Sequence, residues 1–240
     1  MELKNDTATI TMFRWTNRTK LAHRVEIDIC WQEAGGNTFV FLDTRLKDDK
    51  YVTIGLRQLE NGVQQASMSV FQPDIEVECR AGFKRIGSEK DTCCIGNYPF
   101  KLNNWYRFII YAEGSYIEGY IYDHKTKELY KLAKFFTGED SLIQASTRNS
   151  VSLEHIWMPK PCEEKTQIIC RNPLRKDISG SLATATHVQA KYQECNNANI
   201  EMDDAGNIVI SHGSNTKKGK IQHNDWIEVY YEEMEMIELT

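Results

Sequence analysis

Apolar and polar residues alternate along most of the chain. The clearest run is RVEIDICW at positions 24–31, in which every second residue from Val25 to Trp31 is apolar. A period of two puts successive side chains on opposite faces of a β-strand, so this run predicts a strand with one buried face. Glu26 and Asp28 fall on the other face, which the pattern predicts to be solvated.

Similar short runs, rich in Ile, Val, Tyr, Phe and Trp, follow through the rest of the chain. They lie at 38–42, 51–56, 66–71, 105–111, 116–122, 129–136, 151–157, 167–170, 184–191, 207–211 and 226–237. Turn-forming sequences such as Glu60-Asn61-Gly62 separate them. No long segment carries apolar residues at the 3.6-residue spacing of an amphipathic helix.

The pattern therefore predicts an all-β protein in which two antiparallel sheets pack face to face. Residues 1–240 form a single domain in this interpretation. Pro159 and Pro161 cannot both lie in a central strand, which places a soft boundary near 159–164. Residues 165–240 are then either additional strands of the same sandwich or a small subdomain.

Several motifs between positions 69 and 108 occur in a recognisable order. They are SVF at 69–71, EVEC at 76–79, GFKRIGSE at 82–89, CC at 93–94, YPF at 98–100 and WYRF at 105–108. Together with the runs at 116–136 and 171–213, they resemble a mostly bacterial family of domains of unknown function. The resemblance implies a jelly-roll-like sandwich of the concanavalin and laminin-G type with extra C-terminal strands. For secreted relatives it also implies that Cys79 and Cys94 are positioned to bridge the loop between them.

Composition narrows the class of protein only slightly. The chain is 41% hydrophobic and 26% charged, which is typical of a globular protein and excludes a disordered or collagen-like one. Its 7 cysteines are odd in number and scattered, a distribution that favours reduced thiols. The first residues lack the apolar core of a secretory signal, and no apolar run is long enough to span a membrane. We therefore expect a cytoplasmic protein without membrane contact, or a secreted one if the start is processed.

The net charge of −5 is unevenly distributed. Six of the 34 acidic residues lie in 225–240, which contains no Lys or Arg, so 1–224 holds 28 acidic and 29 basic residues and a net charge of +1. The basic residues form no large patch, since the densest group is Lys217, Lys218 and Lys220. The charge pattern therefore predicts no nucleic-acid partner.

The most promising binding element is the predicted loop at 85–98, between two predicted strands. It concentrates hydrogen-bonding and aromatic side chains, a feature typical of ligand-binding loops. The candidate ligand-binding residues are Arg85, Glu89, Lys90, Asp91, Asn97 and Tyr98. Trp105 is a possible stacking surface, but we expect it to belong to the core.

Two carboxylate pairs have the spacing that places both groups on one strand face. Glu26 and Asp28 resemble part of the Glu-x-Asp-x-x-Glu strand of concanavalin-like β-glucanases, although the last acid is missing here. Glu76 and Glu78 form a second pair. Without a proton donor for the leaving group, a solvated polar face is the preferred interpretation of both pairs.

No motif predicts a metal site or a cofactor. The six histidines lack ligand spacing, and Cys79, Cys93 and Cys94 lack the two-pair spacing of a zinc site. His155 lies on the apolar face of its predicted strand and is interpreted as a satisfied core histidine.

The acidic end alternates charge with Met and Ile. The candidate partner-binding residues there are Tyr230, Glu232, Glu233 and Glu235. A charged edge strand that discourages pairing with another sheet is the preferred interpretation. The alternative is a docking surface for a basic protein.

The sequence thus favours a non-enzymatic binding module, with a glycan as the leading ligand through the resemblance of fold. One alternative is a protein-interaction module of the inhibitor or immunity type that binds a basic partner. The other is a glycan-cleaving enzyme with a carboxylate pair. The ligand and the oligomeric state stay open.

Overall fold

A computed structural model describes residues 7–15, 20–138, 140–144, 149–155, 163–193, 197–231 and 235–239. These residues contain eighteen β-strands and no helix. The first nine strands are β1 (Thr7–Trp15), β2 (Leu21–Glu33), β3 (Thr38–Arg45), β4 (Tyr51–Gln58), β5 (Gln64–Val70), β6 (Glu76–Cys79), β7 (Phe83–Gly87), β8 (Thr92–Asn97) and β9 (Trp105–Glu113). The others are β10 (Tyr116–Asp123), β11 (Glu128–Phe136), β12 (Ile143–Gln144), β13 (Asn149–His155), β14 (Thr166–Asp177), β15 (Leu182–Gln193), β16 (Ala198–Met202), β17 (Ile208–His212) and β18 (Trp226–Glu228).

The strands form one antiparallel ladder that nearly closes on itself. Its main path runs β6–β11–β10–β9–β2–β14–β15–β1–β13–β3–β4–β5–β8–β7. The two end strands, β6 and β7, are consecutive in the chain, so the short turn between them brings the ends of the ladder together. The protein is therefore an all-β, barrel-like structure, as the alternating pattern predicts in its coarse form.

The interior of this barrel is filled by apolar side chains from facing walls. Val25, Ile27 and Trp31 of β2 are each 1% exposed, which confirms the buried face predicted for this strand. Gly119 of β10 marks a close approach of the walls, because a Cβ atom there would lie 2.4 Å from Met68 Sδ of β5. The walls therefore pack directly against each other and leave no open lumen at this level.

The structure differs from the predicted elements at two places. The predicted binding loop is a β-hairpin, in which β7 and β8 pair from Phe83–Gly96 to Gly87–Thr92. The predicted terminal strand at 226–237 is mostly absent, because β18 contains only three residues and 229–231 and 235–239 are not in a strand. Val229 N still donates to Thr186 O of β15 at 2.9 Å, but among the described residues the pairing of β18 with β15 does not continue further. Alternation of Glu with Met and Ile is therefore insufficient for a long strand here.

Cys79 of β6 and Cys94 of β8 form a disulfide, with their Cα atoms 5.8 Å apart. The expectation of reduced thiols is therefore wrong for these two residues, and the bridge implied by the resemblance is the one observed. Cys30 and Cys170 are buried free thiols, as expected. The bridge ties the last strand of one end of the ladder to the next-to-last strand of the other.

Two buried histidines face each other where β13 meets β17. His155 and His212 are both fully buried, and their ring centroids are 4.6 Å apart. His155 Nε2 lies 2.9 Å from Thr166 Oγ1, and His212 Nδ1 lies 2.9 Å from Thr9 Oγ1. The core position predicted for His155 is confirmed. Burial, together with the neighbouring His155, lowers the pKa of His212 to about 3.

This lowered pKa predicts an acid-sensitive fold. Between about pH 6.5 and pH 3 the unfolded chain binds a proton at His212 that the folded chain excludes, so stability rises with pH across this window and falls on acidification. Between pH 6.5 and pH 4.5, we expect the free energy of unfolding of the His212→Gln variant, measured in urea, to fall by about 2 kcal/mol less than that of the wild type. Parallel pH profiles for the two proteins would contradict this assignment.

Candidate functional site

The predicted ligand-binding residues do not come together at one place. Glu89, Lys90 and Asp91 lie at the tip of the hairpin, where Ser88 N donates to Asp91 O at 2.9 Å. Asn97 and Tyr98 lie at its opposite end, about 15 Å away along β8. Four of the six residues therefore line two different recesses, and Lys90 and Asp91 line neither of these.

The two recesses have different linings. Arg85 and Glu89 border one of about 570 Å³, in which Arg85 Nη2 lies 3.8 Å from Asp74 Oδ1. Asn97 and Tyr98 border another of about 510 Å³ near the turn between β6 and β7. The hairpin tip is fully solvated, whereas the second recess contains several aromatic rings.

The acidic end also differs from its predicted form. Tyr230 is 76% exposed and Glu235 is exposed, but neither lies in a strand. Glu232 and Glu233 lie outside the described residues. The backbone carbonyl of Glu235 accepts a hydrogen bond from Arg107 Nη1 at 3.1 Å. The described residues around Glu235 thus contact β9 through Arg107.

Glu26 and Asp28 are fully buried, so the predicted solvated face of β2 is wrong. The polar face of β2 is covered because arginines from β2 and β9 lie across it, with the segment around Glu235 above. Period-two patterning identifies the two faces of a strand but does not show whether another part of the chain covers the polar one. Glu76 and Glu78 on the edge strand β6 are exposed, as expected.

Asp28 is surrounded by hydrogen-bonding groups from two strands, β9 and β14, and from the turn after β10. Its Oδ1 accepts from Arg107 Nε at 2.6 Å and lies 2.8 Å from His124 Nε2. Its Oδ2 accepts from Arg107 Nη2 at 3.1 Å and Asn172 Nδ2 at 2.9 Å. Burial on its own raises the pKa of Asp28, but the hydrogen bonds from His124 and Arg107 outweigh it and hold the pKa well below its usual range.

Asn172 reaches Asp28 because β14 is interrupted by a bulge between Arg171 and Leu174. Asn172 has a positive φ of 53°, a conformation that Asn tolerates better than most residues. The sequence Asn172-Pro173 therefore marks the bulge that turns the Asn172 side chain towards Asp28. Nothing in the period-two pattern points to it.

Glu26 is the less satisfied member of the pair. Its Oε2 accepts from Arg24 Nη2 at 3.0 Å, while Oε1 has no hydrogen-bond partner among the described residues. Burial raises the pKa of Glu26, and Arg24 and Arg107 offset this only in part. Both carboxylates lack the exposure that a substrate requires, so the geometry gives no support to the carboxylate-pair enzyme built on Glu26 and Asp28.

Trp105 is not a core residue, contrary to expectation. It lies half-buried on the outer face of β9, and the guanidinium carbon of Arg171 sits 3.8 Å from its ring centroid. Arg171 is 34% exposed and His124 is 22% exposed in their side chains. These residues form the solvent-facing rim of the buried cluster around Asp28.

A groove of about 670 Å³ crosses the opposite wall of the barrel. It is formed by outward-facing residues of β15, β1, β13, β3 and β4, in the register that pairs Ile10 with Ser152 and Asp43 with Ser150. Five strands at their usual spacing give it a length of about 19 Å. The lining residues are Ile10, Met12, Asp43, Arg45, Tyr51, Thr53, Phe71, Ser150, Ser152, Glu154 and Lys191.

Asp43 lies at the floor of the groove. Its Oδ2 accepts from Ser152 Oγ at 2.6 Å, and it forms no ion pair with any described residue. Burial raises its pKa to about 6, and the bond from Ser152 offsets this only in part. The groove therefore holds a carboxyl group that is partly protonated near pH 6, and its protonated form can both donate and accept hydrogen bonds.

An aromatic pair forms one end of the groove. Tyr51 is 40% exposed and Phe71 is 47% exposed, with ring centroids 6.0 Å apart in an edge arrangement. The guanidinium carbon of Arg45 lies 4.3 Å from the Tyr51 ring centroid. Arg45 also donates to Asp49 Oδ1 at 3.0 Å, which fixes the position of this end.

Sequence reasoning missed this groove. Its residues alternate with buried ones in predicted strands, so each taken alone is an ordinary solvated position. Only the pairing of β3 with β13, more than 100 residues apart, brings Asp43 beside Ser152. The available signal was an exposed Phe71 directly after a strand, next to a strand that begins with Tyr51.

The described residues contain no group of three His, Cys, Asp or Glu side chains arranged to hold a metal ion. In the same part of the chain there is no helix long and apolar enough to cross a membrane. The cytoplasmic or secreted location expected from the sequence is still a prediction.

No family model and no curated protein matches the sequence. Among solved structures, the chain is similar to the enzymatically active domain of bacteriophage CBA120 tailspike protein 2, at 12% identity over 75% of this chain and a TM-score of 0.30. It is also similar to full-length tailspike protein 2 from Escherichia coli O157:H7 bacteriophage CAB120, at 10% identity over 81% of this chain and a TM-score of 0.32. The chain spans 24% and 27% of the length of these two structures. The likeness is weak, so the site is defined by the contacts of this chain alone.

The hydrogen bonds around Asp28 predict a large effect of one substitution. In the Asp28→Asn variant Arg107 stays buried and loses its nearest counter-charge, which leaves only the Glu26 carboxylate, 3.8 Å from Arg107 Nη1, so we expect a loss of about 3 kcal/mol in the free energy of unfolding, measured in urea. The control is Glu33→Gln, which breaks the exposed pair with Lys165 and is expected to cost less than about 1 kcal/mol. Equal losses in the two variants would contradict the central role of Asp28.

Proposed function

We propose that the protein is a glycan-binding module and that the groove beside Asp43 is its binding site. The observation that carries this proposal is the exposed pair of Tyr51 and Phe71 at one end of a groove whose floor is a carboxyl group. Sugars present apolar C–H faces that stack on aromatic rings and hydroxyls that need both donors and acceptors. The groove offers these two kinds of surface side by side.

The polar lining supports the same ligand class. Ser150 and Ser152 are hydroxyls that donate or accept, and Asp43 does both when its proton is partly present. Lys191 and Arg45 supply donors at the two ends. A groove of about 19 Å matches an extended chain of linked rings better than a compact metabolite.

The unfavourable position of Asp43 is a second argument. A raised pKa means that ionising this carboxyl costs free energy in the folded state at neutral pH. Residues that cost stability and line a concave surface are candidates for function. Asp28 is the opposite case, because its charge is fully compensated.

Three finer expectations stay proposals. They are the jelly-roll-like sandwich of the concanavalin type, the membership of the bacterial family that the motifs resemble, and extra ligand contacts from Arg85, Glu89, Lys90 and Asp91 at the hairpin tip. A basic protein partner for the segment around Tyr230 and Glu235 is the alternative to a glycan.

The proposal predicts that the aromatic pair is needed for binding. On a glycan array, the wild-type protein is expected to give signals that Tyr51→Ala and Phe71→Ala each weaken about tenfold, because each variant removes one stacking surface. The matched control is Tyr230→Ala, which removes an exposed tyrosine away from the groove. An empty array with the wild type, or an equal loss with the control, would contradict the proposal.

The destabilisation of the folded state by the ionised Asp43 carboxyl can be measured without a ligand. At pH 7 the Asp43→Asn variant no longer pays for a buried charge, so we expect its free energy of unfolding to rise by about 2 kcal/mol. The gain should fall below about 1 kcal/mol near pH 4, where the wild-type carboxyl is protonated in the folded state and a little under half protonated in the unfolded one. Urea unfolding at both pH values measures it, with the exposed Asp204→Asn as control. Destabilisation at pH 7 would show instead that Asp43 is a structural residue.

A further inference from the structure

The recess of about 510 Å³ beside Asn97 and Tyr98 lies at the seam of the barrel. Strands β6 and β7 end the ladder: β6 pairs with β11 and β7 pairs with β8, and no register among the described residues pairs β6 with β7. The turn between them, at 80–82, forms one side of the recess. The β10–β11 hairpin forms another side and contributes Asp123 and Tyr130.

The walls of this recess are held in place by covalent and steric constraints. Cys79, directly before the turn, is bonded to Cys94 of β8. Gly82 has a φ of +85°, which a residue with a side chain adopts only with strain. Phe83 lies flat on Gly96, where a Cβ atom would come within 2.4 Å of its ring. The recess is therefore preorganised, which lowers the entropic cost of binding a ligand.

Aromatic rings and a cation line the interior. Tyr98 and Tyr130 contact edge to face at 5.4 Å, and the guanidinium carbon of Arg80 lies 4.8 Å from the Tyr130 ring centroid. Arg80 is exposed and forms no ion pair with any described residue. Its stacking on Tyr130 leaves its N–H edges directed to solvent and available as donors.

The charges of the lining residues decide the class of ligand. Arg80 contributes one positive charge and Asp123 one negative charge, so the lining is neutral as a whole. Asn97 adds both a donor and an acceptor. A charged ligand would be repelled by one of the two ionised groups, whereas a hydroxyl-rich neutral ligand uses both.

We infer that this seam recess is a second, separate binding site that takes an uncharged sugar, with its ring against Phe83 and Tyr130 and its hydroxyls on Arg80, Asp123 and Asn97. Its ligand class rests on the proposed function, because the same stacking and hydroxyl chemistry is used. The site itself is independent of the groove. Asn97 pairs with Gln65 at the start of β5, while Phe71 follows the end of that strand, about 20 Å away.

Two sites on one chain have a consequence for longer ligands. A polysaccharide that reaches both sites binds the second as an intramolecular event, which raises its apparent affinity without new contacts. Short sugars gain nothing from this effect. The inference therefore predicts that each site binds a disaccharide weakly and separately.

The test is an amide NMR titration of the ¹⁵N-labelled full chain with maltose, cellobiose and lactose. Saturable shifts are expected at the amides of 80–83 and 97–98 with at least one of these probes. Arg80→Ala and Asn97→Ala change exposed residues and retain the fold, and each is expected to weaken the dissociation constant read at these amides three- to tenfold. Lys84→Ala, which removes an exposed cation of the same hairpin outside the recess, is the matched control and is expected to change it less than twofold.

The groove variant Tyr51→Ala separates the two proposals. Shifts confined to the groove residues would overturn the seam recess and leave the proposed function standing. Shifts at the seam amides that Tyr51→Ala does not alter support a binding site in the seam recess. They do so even if the groove amides show no shift and the proposed function is wrong. No shift at either site would overturn both. Tighter binding of glucuronic acid than of glucose at the seam, by tenfold or more, would overturn the assignment to an uncharged sugar.

Discussion

The ion pair between Asp28 and Arg107 holds the centre of the barrel wall together. Its two hydrogen bonds, at 2.6 and 3.1 Å, join β2 to β9, and the bond from Asn172 joins the same carboxylate to β14. Three neighbouring strands therefore share one buried charge. Because a buried charge is tolerated only with a complete set of partners, the bulge in β14 and the position of His124 follow from the same requirement. Within the part of the chain that the structure describes, the opposite wall shows no comparable buried cluster of charges, and its outer face carries the groove.

Asp28 and Asp43 have different surroundings, which give Asp28 a stabilising role and make Asp43 a candidate for ligand binding. Both lie in strands, on the face that points away from the apolar interior. Asp28 receives three hydrogen bonds from Arg107 and Asn172 and contacts His124, which lowers its pKa. Asp43 receives one hydrogen bond, from Ser152, and burial raises its pKa. The first carboxylate stabilises the fold, and the second is held at a cost in a groove with exposed aromatic rings, where a ligand can supply the missing contacts.

Much of the fold was predictable from the sequence, and little of the site was. Alternation identified β2 and its buried face, because that pattern is local to eight residues. It failed for residues 229–231 and 235–239, where the pairing of β18 with β15 does not continue as a strand. It also failed for the polar face of β2, because Arg107 and the carbonyl of Glu235, which cover it, are distant in sequence. The groove depends on pairings between β1, β13 and β3, and the seam recess depends on how the two ends of the ladder meet. Neither is visible in any single segment.

The most direct test of the glycan-binding account is a crystal structure of the protein soaked with a neutral oligosaccharide selected on the array. The account predicts a sugar chain lying across β4, β3, β13 and β1, with one ring against Tyr51 and Phe71 and a hydroxyl within hydrogen-bond distance of Asp43. A sugar bound instead on the outer face of β9, beside Trp105 and Arg171, with the groove empty, would contradict it.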